Sequence, residues 1–107
     1  MIQVEVQAGV CGFVSAMTAE SGDMQHVRIT FRTDCPNLKP LEGADPILID
    51  AYSDAFGPVG DTQSYRILRP HVRHAACPVP MAMVKAVEAA AGLALPRDVR
   101  VTITRES

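Results

Sequence analysis

Three cysteines and a histidine are the residues of this 107-residue sequence whose types and spacing could do chemistry. Cys11 sits between glycines in "GVCG", Cys35 stands in "TDCPN", and Cys77 stands in "RHAACPVPMAMVK", three residues after His74. Thiolate and imidazole donors together suit zinc or an iron–sulfur centre. Cys35 and Cys77 are each followed by proline, so each is expected at a helix N-cap. The positive end of a helix favours thiolate over thiol, and thiolate is the form that attacks or binds metal. A plainer reading stands beside this one: a free cysteine often serves as a small buried hydrophobe.

Other chemistry finds no support. The sequence contains no CxxC pair, no Ser-His-Asp set and no glycine-rich phosphate loop ahead of a helix. His26 is expected on the wet face of a strand, and the Met81 and Met83 pair at a helix start reads as core rather than site. Asp34, Asp45, Asp50 and Asp54 read as helix caps and solvated positions. An odd number of cysteines argues against a disulfide framework.

Elements that could carry these residues follow from hydrophobic period. "MIQVEVQ" alternates, "FVSAMTAE" alternates more weakly, and "MQHVRITFRT" sends Val27, Ile29 and Phe31 one way and His26, Arg28, Thr30 and Arg32 the other. These predict an antiparallel meander with one wet face. Helices are expected over 36–41, over 46–56 with Leu48, Ile49, Tyr52 and Phe56 on one face, over 61–68, and over 78–91 with a stop at Gly92. "DVRVTIT" predicts a last strand over 98–104 with Val99, Val101 and Ile103 inward. The expected fold is α+β: about three meander strands plus a C-terminal strand, with helices packed on one sheet face, as a single domain over 1–107. All three cysteines then fall at element ends, where function concentrates.

Composition narrows the partners. Ten Lys and Arg against twelve Asp and Glu leave a net charge of −2, and no basic cluster with aromatics appears, so nucleic acid is not expected. No stretch reads as a membrane span or a signal peptide, which predicts a cytoplasmic protein with reduced thiols.

"CGF" at 11–13, "DC" at 34–35 and "HAAC" at 74–77 resemble the three-cysteine layout of the U-type iron–sulfur cluster scaffold proteins. Pro70, Val72, Arg73 and His74 fall in the order of that family's loop before its last cysteine. The resemblance spans residues 4–91 and implies a divergent relative of that family, or a small family sharing its fold. It implies Cys11, Cys35 and Cys77 as ligands of zinc or an iron–sulfur cluster, with His74 as a possible fourth. It implies a sulfur donor or a cluster-acceptor protein as partner. The thiolates would act as ligands, so no enzyme activity is expected. Phe13 replaces the family's aspartate, and two alanines separate His74 from Cys77. A second, shorter resemblance, Cys77-Pro78-Val79-Pro80, is to the Cys-Pro-x-Pro of TusA-like sulfur carriers, and implies a persulfide on Cys77.

Overall fold

Alternating side chains build the sheet. In the computed structural model, which describes residues 1–106, the strands are β1 (Ile2–Gln7), β2 (Val14–Glu20), β3 (His26–Thr33) and β4 (Ile47–Asp50). They pair antiparallel in the order β1-β2-β3-β4. Along β3 the alternation is strict: Val27, Ile29, Phe31 and Thr33 are buried, and the residues between them are exposed. The buried face continues through Met17 and Ala19 of β2, Val6 of β1 and Ile49 of β4. The sheet and its helices make a mixed α+β fold.

The helices are α1 (Ala51–Ala55), α2 (Gln63–Leu68) and α3 (Val79–Ala90). Val79, Ala82, Met83, Ala86 and Val87 of α3 are buried and lie against β1 and β2, while α1 and α2 pack on α3. The helix ends in a Schellman arrangement. Gly92, at φ 75°, donates to the Ala89 carbonyl, and Leu93 N–H donates to the Glu88 carbonyl at 2.8 Å. Among the described residues no helix is long and apolar enough to cross a membrane.

The expected helix over 46–56 is corrected. Ile47–Asp50 instead pairs with the free edge of β3, from Ile29↔Ile47 to His26↔Asp50. Period two applies there: Ile49 is buried and Leu48 is exposed. The helix begins only after Asp50, whose carboxylate accepts the N–H groups of Tyr52 and Ser53. Tyr52 and Phe56, expected on one face with Ile49, are exposed while Ile49 is buried. The expected helix over 36–41 contracts to a 3₁₀ turn at Lys39–Leu41.

The C-terminal strand is also corrected. Residues 98–104 are extended in sequence pattern but belong to no sheet, and every residue from 94 to 106 is exposed. Pairing with a neighbouring strand is what turns an alternating segment into a strand, and this one has none. The fourth strand comes from the middle of the chain instead.

Candidate functional site

Strand direction decides where the cysteines go. β1 ends opposite the start of β2, with Gln7↔Val14, and β3 ends beside the same point, with Ser15↔Thr33. The β1–β2 loop that carries Cys11 and the segment after β3 that carries Cys35 therefore leave the same end of the sheet. The other end is marked by the β2–β3 hairpin. Gly92, just past the end of α3, lies against the Met24 methyl of that hairpin. The twelve residues of α3 span about 18 Å, so its beginning, preceded by Cys77, returns to the cysteine end.

Each thiol sits on a defined local structure. Cys11 occupies the tip of a turn closed by Gly12 N–H to the Gly9 carbonyl at 2.9 Å, and it is exposed. Glycines at both corners adopt positive φ, at 93° and 75°, a conformation costly to residues with a Cβ. Cys35 is partly buried and packs against the core. Its N–H donates to Thr33 Oγ1 at 3.0 Å, and its carbonyl accepts from Leu38 and Lys39. Thr33 is itself anchored. Its hydroxyl meets Ser15 Oγ at 2.7 Å, and its N–H donates to Glu42 Oε2 at 2.8 Å. That N–H is the main reason the Glu42 carboxyl is held below the ordinary glutamate range.

Cys77 is partly buried and also packs against the core. Its N–H donates to the His74 carbonyl at 3.1 Å, so these two residues are the ends of one turn. The His74 side chain is exposed. Burial pushes the Cys77 thiol above its ordinary pKa, and negative charge on Cys35 and then Cys11 pushes it further the same way. The Val79 N–H opposes them without prevailing.

Two expectations about these thiols are therefore corrected. Neither cysteine is a helix N-cap: α3 is capped at Pro78, and Cys35 opens a turn rather than a helix. The expected lowering of the thiol pKa is reversed at Cys77, because desolvation outweighs a single N–H dipole.

The fold thus brings Cys11, Cys35 and Cys77 to one end of the sheet. It does not draw them together as ligands. Among the described residues no group of three or more His, Cys, Asp or Glu is disposed to hold a metal ion. The Ser15, Thr33 and Glu42 brace behind Cys35 was missed from sequence. Its signal was Thr33, a hydroxyl in the inward phase of an otherwise apolar alternation.

By fold and site this is a small α+β protein with three free thiols gathered at one sheet end. The chain belongs to a family of unknown function, DUF6951, whose model matches residues 2–103. No curated protein and no solved structure matches it.

Proposed function

We propose that Cys11, Cys35 and Cys77 form a three-thiol site that takes up zinc or an iron–sulfur cluster. The reading is scaffold-like, with a role in iron–sulfur or sulfur metabolism. One observation carries it: the β1–β2 loop with Cys11, the segment after β3 with Cys35 and the start of α3 after Cys77 all lie at the same end of the sheet. Soft thiolates are the donors that such groups need. A bound cation would offset the burial and the neighbouring thiolate charge that raise the Cys77 pKa. The donor set still has to close around its ion, and Cys11, on an exposed turn, is the donor with most freedom to approach. His74, on the turn that ends at Cys77, is the fourth donor in this reading. The resemblance to U-type scaffolds supports the same set, since the cysteines fall after the first strand, after the third and before the long helix.

Metal analysis and visible absorption of protein purified without oxygen test this. Stoichiometric metal, lost alike in Cys11→Ser, Cys35→Ser and Cys77→Ser, is the expected result. Metal-free, colourless protein after anaerobic incubation with zinc or with iron and sulfide would overturn it. The alternative, a sulfur carrier working through Cys77, predicts instead the mass of one added sulfur atom confined to Cys77 after exposure to a persulfide donor. The raised pKa of that thiol speaks against this alternative.

A further inference from the structure

β1 is an edge strand: β2 covers one side, and among the described residues no strand covers the other. A cleft of about 920 Å³ runs along that open side. One wall is β1 with α3, and the facing wall is the C-terminal arm, residues 94–103. The arm leaves α3 at Gly92 and is kept extended by Pro96, which holds Leu95 out of helical geometry. Among the described residues it makes no backbone hydrogen bond beyond Leu93. Its apolar side chains stand in water: Val99 is 48% exposed, Val101 75% and Ile103 89%. An unpaired edge facing an unpaired alternating arm is a liability unless something covers both.

We propose that a second copy of this chain covers them: the arm of each copy enters the cleft of the other and pairs with its β1, giving a two-fold dimer by strand exchange. Three features fit this occupant. The phase matches, because Val99, Val101 and Ile103 then continue the helix-side row of Ile2, Val4 and Val6, of which Ile2 and Val4 are only partly covered. The charge matches in the register that sets Val99, Val101 and Ile103 opposite Val6, Val4 and Ile2, because Arg100 then lies opposite Glu5 on the solvent side and Asp98, on the same face, lies opposite the uncharged Gln7. The cleft is also walled on both sides by extended chain. A strand inserted there meets β1 of one copy and the arm of the same copy, so the two arms lie side by side at the two-fold axis. The arm starts at the end where β1 starts, so the incoming arm runs antiparallel to β1. Reciprocal exchange of an identical element is a low-cost route to closed dimers, and strand addition supplies its affinity from main-chain hydrogen bonds.

Sedimentation equilibrium of the full chain is the test, with hydrogen exchange on the same samples. The expected mass is twice 11.5 kDa, with amides 99–103 protected. Val101→Asp with Ile103→Asp should give a folded monomer, its fold checked by unchanged far-UV circular dichroism. Arg100→Glu should weaken the dimer about tenfold, and adding Glu5→Arg should restore it. A monomer at all concentrations overturns the proposal, whether its arm amides are unprotected or are protected by closure onto its own β1. So does a dimer that survives the double aspartate substitution.

Discussion

The Asp54 carboxylate of α1 accepts both groups that Ser64 of α2 can offer. Oδ1 takes its N–H at 2.8 Å, and Oδ2 takes its hydroxyl at 2.7 Å, with both residues buried. This joins two helices too short to stand alone. It also supplies the N-terminal cap that Thr62 does not, since Thr62 makes no side-chain cap bond. Asp54→Ala leaves a buried N–H and a buried hydroxyl without partners. It should cost about 3 kcal/mol, read as a lower urea midpoint with unchanged slope. Asp54→Asn keeps one acceptor and should fall between the variant and the parent.

Two glycines should respond oppositely to alanine. A Cβ at Gly57 would lie 2.8 Å from the Ser53 carbonyl oxygen and 2.9 Å from Thr62 Cγ2. The first is backbone and cannot swing aside, so Gly57→Ala should destabilise by about 1–3 kcal/mol. Gly22 has open space and no positive φ. There alanine mainly reduces the freedom of the unfolded chain, so Gly22→Ala should be neutral or stabilising by up to about 1 kcal/mol. Thermal midpoints of the two variants, measured side by side, should move in different directions or by clearly different amounts.

The β2–β3 hairpin carries a pH-dependent contact. His26 Nδ1 lies 2.6 Å from Asp23 Oδ2, and Asp23 Oδ1 accepts the N–H groups of Gln25 and His26. The side-chain bond to Asp23 raises the His26 pKa above 6.5, and the same bond is the main cause that lowers Asp23. A group whose pKa is raised on folding gives its full stabilisation below its unfolded value and loses it as pH rises through the folded value. The His26 contribution is therefore complete below about pH 6.5 and fades above it. Asp23 is depressed, so its contribution is present above the ordinary aspartate range and is lost on acidification. The His26 ring should titrate with a midpoint above 6.5 by NMR, falling back toward that value in Asp23→Asn. Both groups are exposed, so the effect on stability is small and disappears in high salt.

The meander was legible because β1 and β3 alternate over six and eight residues, long enough for period two to stand out. β4 was not legible. Its four residues, ILID, fit a helix stripe with Tyr52 and Phe56 as well as they fit a strand, and only the open edge of β3 decides between them. The arm shows the reverse: Val99, Val101 and Ile103 have strand period, but pairing is a tertiary event that no local pattern supplies. The element-end positions of Cys11, Cys35 and Cys77 could be read from sequence, whereas their gathering depends on strand direction and on α3 running back along the sheet. Cys77 also misled for a physical reason: the Cys-Pro step signals a helix start, but the thiol's surroundings, not its place in the helix, set its pKa.

The three thiols should separate by reactivity in the metal-free protein. Cys11 stands exposed at a turn tip, while Cys35 and Cys77 pack against the core. Burial also raises the Cys77 thiol above its ordinary pKa, and only thiolate reacts. Iodoacetamide at neutral pH, followed by peptide mass spectrometry, should modify Cys11 first and Cys77 at least about tenfold more slowly. Replacing Cys35 by serine removes the neighbour that raises the Cys77 pKa more than Cys11 does. In Cys35→Ser the pH at which Cys77 becomes half-reactive should therefore fall, while the corresponding shift in Cys11→Ser should be smaller. Equal rates for all three thiols, or no response of Cys77 to either substitution, would mean that the thiols do not sense one another. A single shared site would then lose its physical basis.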